Sequence, residues 1–114
     1  MLKKEKARSK ADVLQGTLDL MVLQTLATLG SQHGYAIAAR LEQVSGGALQ
    51  LNMGTLYPGL VRLELKRLVA ARWALTESNR RARFYELTAR GRRQLEKERQ
   101  GWLRMAGIMA RVLE

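Results

Sequence analysis

Apolar positions along the chain change period twice, and those changes mark out the elements. Leu18, Met21, Val22, Leu26 and Leu29 recur at three- and four-residue spacing, like one face of a helix. Leu20, Leu23 and Ala27 fall on the opposite side of the same helix. A helix that is apolar all round is buried on both faces. In so short a chain, this predicts that the second face meets another subunit. Thr17 is the expected N-cap, with Asp19 in the first turn, and Gly30 is the expected stop. A second helix is expected from about His33 to Ser45, with Ile37, Leu41 and Val44 inward and Gly46-Gly47 ending it. A third begins between Asn52 and Thr55 and ends near Arg67, with Leu56, Leu60 and Leu63 inward. Proline is tolerated only near a helix start, so Pro58 argues for a late start around Gly54. At roughly 100° per residue, Gly59, Arg62 and Lys66 lie within about 40° of Thr55 on the outward face.

The period then becomes two. Residues 68–76 and 82–87 read as strands, with Arg83, Tyr85 and Leu87 alternating against Phe84 and Glu86. Trp73 is expected to pack beneath this hairpin. The polar turn between the strands carries Arg80 and Arg81. Thr88 then caps a last helix reaching nearly to Glu114, about 35–40 Å long. Along it Leu95, Trp102 and Met109 recur every seven residues. Met105 and Val112 fill the interleaved position, where Glu98 is the exception. This is a short heptad seam. Leu103, Ala106, Ala110 and Leu113 make a second stripe beside it. One stripe should cover the chain's own first helix and the other should meet a partner.

The predicted fold class is therefore mainly α (α+β). It is a winged helix-turn-helix of three helices and a two-stranded wing, followed by a long C-terminal dimerisation helix. Residues 1–13 read as a basic arm, 14–88 as the DNA-binding domain and 89–114 as the dimerisation helix.

Charge sharpens this reading. Twenty lysines and arginines against ten acidic residues give a net charge of +10, a field suited to a polyanion. The chain has no cysteine and one histidine, His33, so disulfides, zinc sites and histidine-dependent triads are not expected. Neither cofactor nor metal is called for. Glu64, Glu77, Glu86, Glu96 and Glu98 form no catalytic pair, and no enzyme is expected. Residues 18–29 are too short and too polar for a membrane span, so the expected location is the cytoplasm.

The chemistry suits double-stranded DNA. A recognition helix enters the major groove and touches base edges with its exposed face. Thr55 and Tyr57 are the candidates for base or phosphate contact. Arg62 and Lys66 suit phosphates or a guanine edge, and Gly59 would permit close backbone approach. Arg80, Arg81 and Arg83 on the wing would meet phosphate or enter a minor groove. Tyr35 is a candidate phosphate contact at the start of the second helix, where His33 would cap or touch phosphate. The alternative is a basic RNA- or ribosome-associated protein without promoter specificity. It would share the charge, but it needs neither the C-terminal seam nor this helix order.

Four runs carry a resemblance: Leu14-Gln15-Gly16-Thr17-Leu18-Asp19-Leu20; His33-Gly34-Tyr35; Gly54-Thr55-Leu56-Tyr57-Pro58; and the stretch from Asn79 to Thr88. Together, in this order, they resemble the PadR family of transcriptional regulators over about residues 13–95. The short C-terminal part is similar to the branch with a single dimerisation helix. The resemblance implies a C-terminal dimerisation helix and repression of a nearby promoter, and closed two-fold symmetry, the commonest in oligomers, then predicts a homodimer reading an inverted-repeat operator. It also implies a response to a small hydrophobic or aromatic effector. Leu20, Leu23, Leu95, Trp102, Met105, Met109 and Val112 are the expected dimer interface. Some multidrug-sensing members sandwich flat ligands between tryptophans at such a place, which makes Trp102, Met105 and Met109 the candidate effector site.

Overall fold

The computed structural model describes residues 17–114. The expected basic arm and the first residues of the DNA-binding domain lie outside the described residues. In chain order the elements are α1 (residues 17–29), β1 (Gln32–His33), α2 (Gly34–Val44), α3 (Met53–Leu65), β2 (Val69–Leu75), β3 (Arg81–Leu87) and α4 (Ala89–Val112). This is the winged-helix order read from the sequence, with its long terminal helix.

Side-chain caps set the helix starts. His33 Nδ1 accepts from the Ala36 amide at 3.4 Å, Asn52 Oδ1 from Thr55 at 2.9 Å, and Thr88 Oγ1 from Gly91 at 2.9 Å. Asn52 explains why α3 does not start late. Its cap fixes Met53 as the first helical residue, so Pro58 sits inside the helix at the sixth position. Pro58 offers no amide to the Gly54 carbonyl, but both residues are exposed, so water can satisfy that oxygen. Thr17 is itself helical rather than a cap. After α2, Gly46 and Gly47 take φ of +64° and +85°, a left-handed exit that glycine makes without steric cost.

The sheet has three antiparallel strands in the order β1-β3-β2, one more than expected. The extra strand is two residues long and pairs Gln32 with Tyr85 and His33 with Phe84. Two residues between helices carry no alternation from which a strand can be read. In the β2–β3 ladder Ala71 faces Tyr85, Trp73 faces Arg83 and Leu75 faces Arg81. The wing turn is closed by Thr76 accepting from Asn79 and donating to Arg80, with Asn79 at φ +64°.

One core joins the elements. Leu18, Val22, Leu23 and Leu26 of α1 pack with Ile37 and Leu41 of α2, Leu56, Leu60 and Leu63 of α3, and Val69, Tyr85 and Leu95. Two expected core residues, Leu29 and Val44, lie at helix ends and are exposed. Leu95 is the last α4 residue in the core, and the apolar residues from Trp102 to Leu113 stand largely exposed. The base of α4 is tied down: the Leu68 carbonyl accepts from both the amide and the hydroxyl of Thr88, and Gly91 packs against that carbonyl.

Candidate nucleic-acid interface

The outward face of α3 is centred on Gly54, Pro58, Val61 and Leu65, with Tyr57 at one edge and Thr55 at the other. Leu65 is 79% exposed and Val61 46%. This face is rotated from the expected one. Gly59 is buried against Leu18, and Arg62 donates to Asp19 of α1 at 2.8 Å. The flank assigned to DNA from periodicity is therefore partly covered by α1. Thr55 and Lys66 on that flank remain exposed.

Beside α3 stands the wing. Arg80 and Arg81 are exposed, and neither is ion-paired among the described residues. Arg83 instead donates to Glu64 of α3 at 2.7 Å, and this charged hydrogen bond raises its pKa above the ordinary arginine value. Trp73 is not packed beneath the wing. It is 52% exposed, with the Arg81 guanidinium 5.0 Å and that of Arg83 5.8 Å from its ring centroid. On the other face of the hairpin, Arg72 stands over the Phe84 ring at 6.0 Å, and His33 meets that ring edge-on. The sequence reading passed over Arg72. Its place opposite Phe84 in the ladder was the available signal.

The first turn of α2 completes the surface. Tyr35 is 72% exposed and, with Tyr57, Trp73 and Arg81, lines a cleft of 180 Å³ between α2, α3 and the wing. The structure thus brings Tyr35, Tyr57, Arg81 and Arg83 to one cleft, while Arg62 lies on the α1 side of α3. The chain matches the model of the Transcriptional regulator PadR-like family over residues 22–97. It belongs to this family.

Solved structures agree on the fold. A PadR family transcriptional regulator from Eggerthella lenta superposes with a TM-score of 0.78 at 26% identity, covering 100% of this chain and 98% of its own. A transcriptional regulator from Clostridium thermocellum has a TM-score of 0.81 over 90% of this chain and 99% of its own; at 21% identity it speaks for the fold alone. One curated relative, an uncharacterized 37.1 kDa protein in transposon TN4556 of Streptomyces fradiae, is 44% identical over 88 residues. Those residues are 77% of this chain but 24% of the relative. The family is one of transcriptional regulators, not of enzymes. No helix among the described residues is long and apolar enough to cross a membrane.

The residues expected at a dimer interface are divided by the structure. Leu23 has no exposed surface and Leu95 very little, because both fill the chain's own core. Leu20 is partly buried at a groove of 610 Å³ between α1, α2 and α4, lined also by Met21, Leu41, Val44, Trp102 and Leu103. Met105, Met109 and Val112 are exposed along α4 outside that groove. Of the candidate effector trio, Trp102 lines this groove and Met105 and Met109 do not.

Proposed function

We propose that this PadR-like chain represses transcription as a homodimer bound to an inverted repeat. The observation that carries the reading is the convergence on one cleft of Tyr57 of α3, Tyr35 of α2 and the wing arginine Arg81, unpaired among the described residues. Val61, Pro58 and Leu65 would lie against thymine methyl groups, with Thr55 and Tyr57 placed to hydrogen-bond base edges or phosphates. Arg80 and Arg81 would neutralise flanking phosphates without reading sequence. The exposed apolar length of α4 supports the dimer, since Met105, Met109 and Val112, with half of Trp102, form a seam left exposed among the described residues. Two-fold symmetry would then place two α3 helices about one DNA turn, roughly 34 Å, apart. A small aromatic effector would enter the groove at Trp102, beside Leu20 and Met21, rather than lie on Met105 and Met109.

The test starts with duplexes selected by the purified protein from a random pool. An inverted repeat should emerge. Replacing Arg80 and Arg81 with alanine should weaken binding to all duplexes and lower the salt slope by about two, one per phosphate contact. Unchanged affinity and slope would remove the wing from the interface.

A further inference from the structure

We infer that Trp73 is a positioning residue for DNA binding: its ring holds Arg81 in the orientation that meets the duplex and ties it, through Arg83 and Glu64, to α3. The inference rests on the reading of the wing as a DNA contact.

The chain of contacts is continuous. Glu64 of α3 accepts from Arg83 at 2.7 Å. Arg83 faces Trp73 across the β2–β3 ladder, and its guanidinium stands 5.8 Å from the ring centroid. Arg81, two residues earlier on the same strand, projects to the same side and stands closer, at 5.0 Å. Two arginines at i and i+2 on one strand face repel each other. Here Glu64 offsets the charge of one, and the ring's negative face attracts both. The outcome is asymmetric. Arg83 is committed to a carboxylate, whereas Arg81 has no acidic partner among the described residues and keeps its donors available.

A free arginine on a hairpin samples many rotamers, and ordering it on a phosphate costs conformational entropy. Stacking on Trp73 restricts Arg81 before DNA arrives. It also fixes the guanidinium relative to α3, because Glu64 belongs to that helix. The wing and the recognition helix are thereby held at one separation, which is what reading a groove and its flanking phosphates together requires. Trp73 itself is half-exposed and contributes nothing to the buried core, so burial does not explain a tryptophan here.

The experiment is a double-mutant cycle on the full chain. Binding to the selected duplex is measured by fluorescence anisotropy for wild type, Trp73→Leu, Arg81→Ala and the pair, with Trp73→Phe as the conservative variant. Losing a stacked cation at an exposed site corresponds to about a two- to fivefold loss of affinity. Trp73→Leu should show that loss, Trp73→Phe should recover most of it, and Trp73→Leu should cost little further in the Arg81→Ala background. In a Trp102→Phe background Trp73 is the sole tryptophan, and Arg81→Ala should shift its emission in the DNA-free protein while the helical circular dichroism is unchanged. Additive losses, or no loss from Trp73→Leu where Arg81→Ala weakens binding, would overturn the inference alone. Unaltered binding by Arg81→Ala would overturn the wing reading, and the role of Trp73 would fall with it.

Discussion

Replacing Gly91 with alanine should destabilise this protein, although alanine is the better helix former. Gly91 is the third residue of α4, and a Cβ there would overlap the carbonyl oxygen of Leu68 and meet Leu87 Cδ2 at 3.0 Å. The oxygen cannot swing aside cheaply, because it accepts from the Thr88 amide at 3.2 Å and from the Thr88 hydroxyl at 3.1 Å. Relief therefore requires α4 to move off β2, loosening the Thr88 cap and the seat of Leu95. Overpacking of this kind costs about 1–3 kcal/mol, and a weakened cap adds about 1 kcal/mol. Alanine's helix propensity returns at most about 1 kcal/mol. The expected net loss is about 1–3 kcal/mol, which for a domain of this size lowers Tm by roughly 4 °C per kcal/mol. Gly101→Ala, on the same helix, has no atom within 4 Å of its new Cβ among the described residues and should not destabilise. Thermal and urea unfolding followed by circular dichroism would compare the two. A Gly91→Ala protein at least as stable as wild type would refute the packing argument.

Three further outcomes are expected. Met105→Glu combined with Met109→Glu leaves the single chain unharmed, since both side chains are exposed, but places charge in the proposed seam; light scattering should report monomer, and a persisting dimer would place the interface elsewhere. Burial raises the Tyr85 phenol pKa above its ordinary value near 10, so the native state holds that proton longer than the unfolded chain. Its share of stability is complete below pH 10 and is lost as pH rises through the higher native pKa; urea unfolding from pH 8 to 11 should show a shallower decline in Tyr85→Phe, and parallel curves would contradict this. Replacing thymine by deoxyuridine at the half-site centres of the selected duplex should weaken wild-type binding about five- to tenfold, within the range of one lost base contact, and weaken Val61→Ala much less; equal losses would exclude Val61 as the methyl contact.

Much of this architecture was legible because it rests on local rules. The caps at His33 and Thr88, the Gly46-Gly47 stop, the leucine stripe of α3 and the alternation around Tyr85 each follow from a few neighbouring residues. What escaped depended on which element covers which flank. The wheel of α3 identifies Leu56, Leu60 and Leu63 as inward, but it cannot say that α1 also covers Gly59 and draws Arg62 to Asp19. The outward face was consequently misplaced by about a quarter turn, and Val61 and Leu65 were passed over because they are apolar. An α1 that is apolar all round points Leu23 at a partner, yet the chain's own core buries it completely. The position of Pro58 shows two local rules in conflict: a strong Asn52 cap outweighed proline's preference for the first turn, at a site where the orphaned carbonyl faces water.

The two ion pairs of α3 show how a strongly basic chain uses its few carboxylates. Asp19 on α1 and Glu64 on α3 each hold an arginine on a neighbouring element, one on either side of the recognition helix. Both pairs are partly exposed, and pairs of that kind contribute little to stability. Their consequence is geometric. Arg62 links α3 to α1, and Arg83 links α3 to β3, so the helix is braced on both flanks while its outward face carries no charge between Gly54 and Val61. In the proposed interface, sequence-independent attraction would fall mainly to the wing and discrimination to the uncharged part of the helix face. A face that lacks its own strong phosphate attraction binds only where its contacts match the groove. In the proposed interface, the cations held back by Asp19 and Glu64 would matter to specificity as much as those left free.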